Sequence, residues 1–159
     1  MTMDDTTLRH SPADVSRISG EILAAVESVV IDQSEPLRIA FAGILAGGHV
    51  LFEDVPGLGK TLAARSLATA MGIDFRRLQC TPDLLPADIT GSFVYAPTTG
   101  EFVFRPGPVF TGLLLADELN RTAPKTQSAL LEAMAEGQVT VDGRSHPLPR
   151  PFHVIATAN

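Results

Sequence analysis

Apolar residues recur at helical spacing in two segments near the beginning of the chain. Between residues 12 and 30 they return at every third or fourth position, and between residues 34 and 46 they do so again before Gly47. This period places apolar side chains on one face of a helix, and glycine often ends one. The pattern predicts two amphipathic helices. We assign the first to an N-terminal helical segment, residues 1–33, that leads into a core of residues 34–159.

Short apolar runs alternate with further helical segments in the rest of the chain. The predicted strands are residues 49–52, 73–80, 113–116 and 152–157, and the predicted helices are residues 62–71 and 124–136. Such strands, separated by helices, are typical of a parallel sheet that helices cover on both faces. We therefore predict an α/β fold, a three-layer αβα sandwich with a parallel sheet. In the last helix, Leu130, Leu131 and Met134 are expected to face the core.

Two further segments have the pattern of β-hairpins. Residues 93–104 contain two apolar runs joined by a short glycine-containing loop, and residues 139–148 turn at Asp142-Gly143. An Asp-Gly pair between alternating residues is the strongest local signal for a hairpin. The sequence therefore predicts two β-hairpin inserts in the α/β fold.

A glycine-rich loop separates the first predicted strand from the helix that follows it. The loop reads Asp54-Val55-Pro56-Gly57-Leu58-Gly59-Lys60-Thr61. Glycines let successive N–H groups turn toward one anion, and the helix N-terminus adds partial positive charge. In such a P-loop, Lys60 would reach the β- and γ-phosphates of a nucleotide, and the Thr61 hydroxyl would bind Mg²⁺. The alternative is a plain glycine turn with an incidental lysine, since the usual pattern has glycine in place of Asp54.

Two carboxylates, Asp117 and Glu118, follow the strand at residues 113–116. This is the pattern of a Walker B element, in which Asp117 would orient Mg²⁺ because hard cations prefer oxygen ligands. Glu118 would then polarise the water that attacks the γ-phosphate. Asn159, after the last predicted strand, could hydrogen-bond the γ-phosphate or that water. A solvated acidic turn is the alternative for the two carboxylates.

Composition excludes several classes of protein. The chain of 159 residues is 45% hydrophobic, which is enough for a core and too apolar for disorder. Its net charge of −6, without a basic cluster, argues against nucleic-acid binding. Cys80 is the single cysteine and is interpreted as a small buried side chain, in a reducing compartment. The first ten residues lack the apolar core of a signal peptide, and the longest apolar run, residues 39–50, is too short to span a membrane. We therefore expect a cytoplasmic protein without membrane insertion.

The order of these motifs resembles that of an AAA+ ATPase, and the amino-acid sequence within the motifs resembles that of the MoxR family. The matching stretches are residues 49–61 (HVLFEDVPGLGKT), 81–91 (TPDLLPADITG), 100–110 (GEFVFRPGPVF), 115–120 (LADELN), 124–132 (PKTQSALLE) and 139–149 (VTVDGRSHPLP). One departure is Asp32-Gln33, where the family usually has Gly-Gln after the residues beside the adenine.

The resemblance implies ATP and Mg²⁺ as cofactors and ATP hydrolysis as the reaction. The implied nucleotide-binding residues of the loop and helix are Pro56, Gly57, Leu58, Gly59, Lys60, Thr61 and Leu62. Val30 and Ile31 would lie against the adenine, and Asn159 would be the sensor 1 residue. Catalysis would then rest on Glu118, Lys60 and Asn159, and the metal would be held by Thr61 and Asp117. The two hairpins would be the helix-2 insert and the pre-sensor-1 hairpin.

The resemblance also implies partners and a larger assembly. Family members are thought to act as homo-oligomeric rings, here expected to be a hexamer, with a chaperone-like role in maturing client proteins or loading their cofactors. Partners with von Willebrand factor A domains are common. The family's fifth strand, arginine finger and helical lid have no counterpart up to residue 159, so the core is expected to be incomplete. We therefore expect this chain to bind nucleotide weakly and to hydrolyse it negligibly; the alternative is a truncated binding or interaction module that performs no chemistry.

Three polar positions have more than one interpretation. Gln79 is a candidate switch that holds Glu118 away from water until a partner binds. Arg121 is expected either to contact a neighbouring subunit or to cap a loop. The pair Arg76-Arg77 is interpreted as charge at the solvated edge of a strand rather than as a phosphate contact.

Overall fold

The computed structural model describes residues 11–30, 34–53 and 59–158. The helices in this part of the chain are α1 (Pro12–Glu27), α2 (Ser34–Leu45), α3 (Lys60–Met71), α4 (Pro86–Thr90) and α5 (Pro124–Glu136), with a 3-10 turn at Leu119–Arg121. The strands are β1 (Val50–Glu53), β2 (Phe75–Gln79), β3 (Gly91–Ala96), β4 (Glu101–Pro106), β5 (Leu113–Asp117), β6 (Gln138–Val141), β7 (Arg144–Pro147) and β8 (His153–Ala158).

The central sheet has four parallel strands in the order β1-β8-β5-β2. Strand β5 is therefore interior, between β8 and β2, and β1 is at an edge of this sheet. The carboxyl ends of parallel strands meet at one edge, where open α/β sheets bind their ligands. The predicted α/β fold with a parallel sheet and flanking helices is confirmed.

The core lies on both faces of the sheet because β5 alternates between them. Leu114 and Ala116 belong to one cluster, with residues of α4, α5 and the second hairpin, whereas Leu113 and Leu115 belong to the other, with residues of α1, α2 and α3. All four side chains are fully buried. Strands covered on both faces have near-continuous apolar runs rather than an alternating pattern, which explains the Leu-Leu-Leu-Ala sequence.

The predicted inward face of α5 is correct except at one position. Leu130 is buried and Met134 packs against the core, but Leu131 is 55% exposed, so its predicted inward orientation is wrong. Consecutive helical residues lie about 100° apart, and the buried stripe of α5 continues from Leu130 to Ala133 instead.

The sequence patterns also did not reveal α4, a helix of five residues in which Asp88 accepts a hydrogen bond from the Leu85 N–H.

Both predicted hairpins are present as antiparallel pairs, β3–β4 and β6–β7. Asp142 and Gly143 adopt left-handed backbone conformations, with φ of 49° and 76°, as a tight hairpin turn of this type requires. The hairpins pack against each other, since the Phe104 ring stacks on His146 with centroids 3.9 Å apart.

Among the described residues, no helix combines the length and apolarity needed to cross a bilayer.

Candidate functional site

The candidate site lies at the carboxyl end of β5, where that strand ends in Asp117. Strand β2 pairs with β5 so that Gln79 is opposite Asp117, and β8 pairs on the other side with Ala156 opposite Ala116. Residues at the ends of three strands therefore converge on Asp117. This edge is where the two sequence-predicted carboxylates were expected to act.

Both oxygens of Asp117 accept hydrogen bonds from neighbouring strands. Oδ1 accepts from the Thr157 hydroxyl at 2.7 Å, and Oδ2 accepts from Nη2 of Arg77 at 2.7 Å. Partial burial favours the neutral acid, but these hydrogen bonds and the positive charges of Arg77 and Lys60 outweigh it and lower the pKa of Asp117. The carboxylate is therefore ionised and oriented at neutral pH.

Glu118 leaves the strand in a left-handed conformation, with φ of 58°. Its backbone N–H donates to the Thr157 hydroxyl at 2.8 Å, so this one side chain binds both acidic residues. The Oε2 atom of Glu118 accepts from Gln79 Nε2 at 3.0 Å and from Arg121 Nη1 at 2.8 Å. Left-handed non-glycine residues are uncommon and concentrate at functional positions.

The start of α3 contributes the cationic part of the site. Gly59 is left-handed, with φ of 54°, and precedes Lys60, the first residue of the helix. The positive charge of Lys60 is the smallest of the effects that lower the Asp117 pKa. Thr61 is half-buried in the first turn, and Leu62 is largely exposed. The structure thus brings the end of β5 and the beginning of α3 together.

Several predicted site residues lie outside the described residues: Pro56, Gly57, Leu58, Ile31 and Asn159. Val30 is described and is 5% exposed; it belongs to the core cluster that also contains Val26 and Leu37. Its predicted contact with adenine stays a prediction.

The donor set fits a magnesium ion that is shared with phosphate. Among the described residues, no group of three His, Cys, Asp or Glu side chains could hold a metal ion alone. Mg²⁺ in nucleotide sites typically takes one or two protein oxygens and completes its shell with phosphate and water. An ionised Asp117 supplies one such oxygen, and the Thr61 hydroxyl as a second ligand stays a prediction.

Two residues of the site escaped sequence reasoning. Arg77 is exposed on the outer strand β2, as interpreted, but it also pairs with Asp117, which sequence reasoning did not predict. Thr157 was only part of a predicted strand. The signal for Arg77 was available, because residues 77 and 79 point to the same side of β2. Arg121 pairs with Glu118 within the same loop.

The single cysteine is buried beside the site and does not contribute a thiolate. Cys80 is fully buried, and its N–H donates to the Asp117 carbonyl at 2.8 Å. Burial, followed by the charges of Asp117 and Glu118, raises the pKa of its thiol to about 11. The interpretation as a small buried side chain is confirmed.

Comparison with known proteins gives one consistent family. Residues 49–159 match the model of the ATPase family associated with various cellular activities (AAA). The YeaC protein of Bacillus subtilis, itself uncharacterised, is 51% identical over 92% of this chain and 46% of its own length. The chaperone MoxR1 of Mycobacterium tuberculosis is 46% identical over 84% of this chain and 36% of its own length.

A solved structure is similar over the same range. The crystal structure of a protein from Cytophaga hutchinsonii, provisionally named an ATPase, matches with a TM-score of 0.78 and 44% identity. The match covers 92% of this chain and 47% of that one. The chain therefore spans about half, or less, of the length of these relatives.

Proposed function

Because the chain belongs to the AAA ATPase family and resembles its MoxR members, we propose that it binds Mg-ATP and forms the hydrolytic core of a MoxR-type ATPase. The observation that carries this proposal is the orientation of Asp117 and Glu118 at the carboxyl end of β5 by Arg77, Thr157 and Gln79, with Lys60 as the first residue of α3. A lysine at a helix N-terminus and an oriented carboxylate are the two parts that a site for a magnesium-bound triphosphate needs.

The residues have distinct proposed roles. Lys60 pairs with the β- and γ-phosphates, and the backbone N–H groups of the P-loop surround them. Thr61 and Asp117 hold the magnesium ion, which neutralises phosphate charge when bound. Val30 and Ile31 contact the adenine, and the P-loop contribution comes from Pro56, Gly57, Leu58, Gly59 and Leu62.

Glu118 is the proposed group that orients the attacking water, with Asn159 as a second polar group near the γ-phosphate. Gln79 and Arg121 both donate to Oε2 of Glu118. A carboxylate engaged in this way is a poor acceptor for a water proton, so hydrolysis requires these hydrogen bonds to loosen. This geometry supports Gln79 as a switch residue that restrains Glu118.

The proposed biological role is chaperone-like action on client proteins by a ring of subunits, expected to be a hexamer. The relative MoxR1 of Mycobacterium tuberculosis is named a chaperone, which supports the chaperone part. A second support is the first hairpin, whose Tyr95, Phe102 and Val103 side chains are more than half exposed. Exposed aromatic and aliphatic side chains of this kind are typical of protein-contact surfaces. Partners with von Willebrand factor A domains are part of the same proposal.

Calorimetric titration of Mg-ATP into the chain tests nucleotide binding. We expect Lys60→Ala to weaken binding by about ten- to a hundredfold, because it removes a charge-assisted contact. The matched control is Lys125→Ala, which removes the other lysine of the chain from an exposed position on α5 and should leave affinity unchanged. Folded wild type that fails to bind Mg-ATP would contradict the proposal.

Steady-state phosphate release tests the hydrolytic part. Turnover by the 159-residue chain is expected to be close to that of a Glu118→Gln variant, because hydrolysis is proposed to need an arginine from a neighbouring subunit of a ring. Turnover well above that variant would show that this chain hydrolyses ATP alone. Wild type that binds nucleotide but does not hydrolyse it, either as a single chain or as an oligomer, would favour the interaction module instead.

A further inference from the structure

We propose that Arg77 is a positioning residue that competes with the magnesium ion for Asp117 and that couples the arrival of the metal to the release of Glu118 from Gln79. The inference rests on the proposed function, since it concerns the same site. It comes from the contacts of one guanidinium group, which bridges Asp117 at the end of β5 and Gln79 at the end of β2.

The two hydrogen-bond donors of Asp117 differ in their freedom to move. Thr157 is 1% exposed, and its hydroxyl also accepts the Glu118 N–H, so it cannot turn away without losing a second buried hydrogen bond. The side chain of Arg77 is 46% exposed and flexible. A metal that takes Oδ2 of Asp117 as a ligand therefore displaces Arg77 and leaves Thr157 in place.

The same nitrogen of Arg77 also fixes the orientation of Gln79. Nη2 donates to Asp117 Oδ2 at 2.7 Å and to Gln79 Oε1 at 2.9 Å. With its oxygen held by Arg77, the amide of Gln79 directs Nε2 at Glu118, 3.0 Å from Oε2. When Arg77 leaves, the Gln79 oxygen loses this donor and the amide is free to rotate. Binding of the metal at one carboxylate is thereby transmitted to the other.

The test is the magnesium dependence of binding of a fluorescent ATP analogue, compared between Arg77→Met and Arg76→Met. The control removes the neighbouring arginine, which lies on the opposite side of β2. We expect Arg77→Met to lower the half-saturating Mg²⁺ concentration by about two- to fivefold, the range for an ion pair of this exposure. Arg76→Met should match wild type. Arg77→Gln, which keeps a polar side chain, should shift in the same direction if Arg77→Met does not fold.

A second measurement is independent of binding strength. The side-chain amide signals of Gln79, assigned by comparison with Gln79→Glu, should shift in wild type when Mg-nucleotide binds. In folded Arg77→Met, the chemical shifts of these Gln79 signals should already differ from those of nucleotide-free wild type before any nucleotide is added. Unchanged magnesium dependence together with unchanged Gln79 signals would overturn this inference alone. Loss of nucleotide binding in wild type and in Arg76→Met alike would overturn the proposed function and this inference with it.

Discussion

At the scale of single residues, Thr157 holds the two acidic side chains of the site in fixed relation. Its hydroxyl donates to Asp117 and accepts from the backbone of Glu118, and it does so from a fully buried position on β8. A hydroxyl is well suited to this task because it is donor and acceptor at once. The carboxyl end of β5 is therefore anchored by its neighbour strand rather than by solvent.

Replacing Thr157 with valine keeps the shape and removes the hydroxyl. The buried Glu118 N–H then loses this acceptor, and we expect Thr157→Val to lower the free energy of unfolding by about 1–3 kcal/mol. Urea denaturation followed by circular dichroism measures this loss. Mg-nucleotide affinity should also fall, since Asp117 is no longer oriented.

Thr111→Val is the matched control for that variant. Thr111 is equally buried, and its hydroxyl donates to the Asp74 carbonyl near the other end of β5, at 3.0 Å. Its replacement should destabilise the chain to a similar extent without changing nucleotide affinity. Equal effects of the two variants on affinity would show that Thr157 has no particular role at the site.

At the scale of secondary-structure elements, the first hairpin is joined to the body through closely packed backbone. Gly91 has φ of 95°, and a Cβ there would lie 2.6 Å from the Gly107 nitrogen. A Cβ on Gly107 would collide with the Ile89 carbonyl oxygen of α4. Both ends of the hairpin thus need glycine, one for its backbone conformation and both for space.

Gly107→Ala is expected to lower the free energy of unfolding by about 1–3 kcal/mol, because the neighbours are backbone atoms that cannot rotate away. The control is Gly20→Ala in α1, where an added Cβ meets nothing within 4 Å. That change should stabilise the helix by about 0.5–1 kcal/mol. Thermal unfolding of the two variants compares them directly, and a Gly107→Ala chain as stable as wild type would refute the packing argument.

The elements were predictable from sequence because their signals are local. Apolar runs located β5, and Asp142-Gly143 located the turn of the second hairpin. The crowding at Gly107 was hidden, since it depends on Ile89, which is distant in sequence. The sequence identified Asp117 and Glu118 because they directly follow an apolar run. It did not reveal the role of Thr157, because that role depends on the register of β8 against β5.

At the scale of the whole molecule, His49 connects the beginning of the sheet to a helix. Its Nδ1 accepts from the Val154 N–H at 3.0 Å, and Nε2 lies 3.3 Å from the Met134 carbonyl of α5. The Nδ1 atom must therefore be unprotonated, so the imidazole is neutral. Burial, together with the nearby His153, lowers the pKa of His49 against the smaller opposing effect of Met134.

This arrangement makes stability depend on pH. A group with a lowered pKa in the folded chain stabilises fully above its ordinary value of 6.5, and the stabilisation is lost as the pH falls through the folded pKa. We expect the free energy of unfolding to decrease below about pH 6.5. In His49→Asn, whose amide oxygen does not titrate, this part of the decrease should be absent. Denaturation series at several pH values measure the difference, and parallel curves would exclude His49 as the cause.

The charges gathered at the end of β5 have a consequence for the kinetics of ligand encounter. The chain carries a net charge of −6 and should repel a nucleotide at long range. Yet among the described residues Arg77 and Arg121 pair with the carboxylates Asp117 and Glu118, and the charge of Lys60 also acts on Asp117. At about 0.15 M salt, fields are screened beyond roughly 8 Å, so an approaching triphosphate senses this local cationic excess more than the distant acidic surface. In dilute buffer, repulsion by the whole molecule therefore slows nucleotide association. Added salt first raises the association rate by screening this repulsion, and at higher concentration lowers it by weakening the attraction at the site.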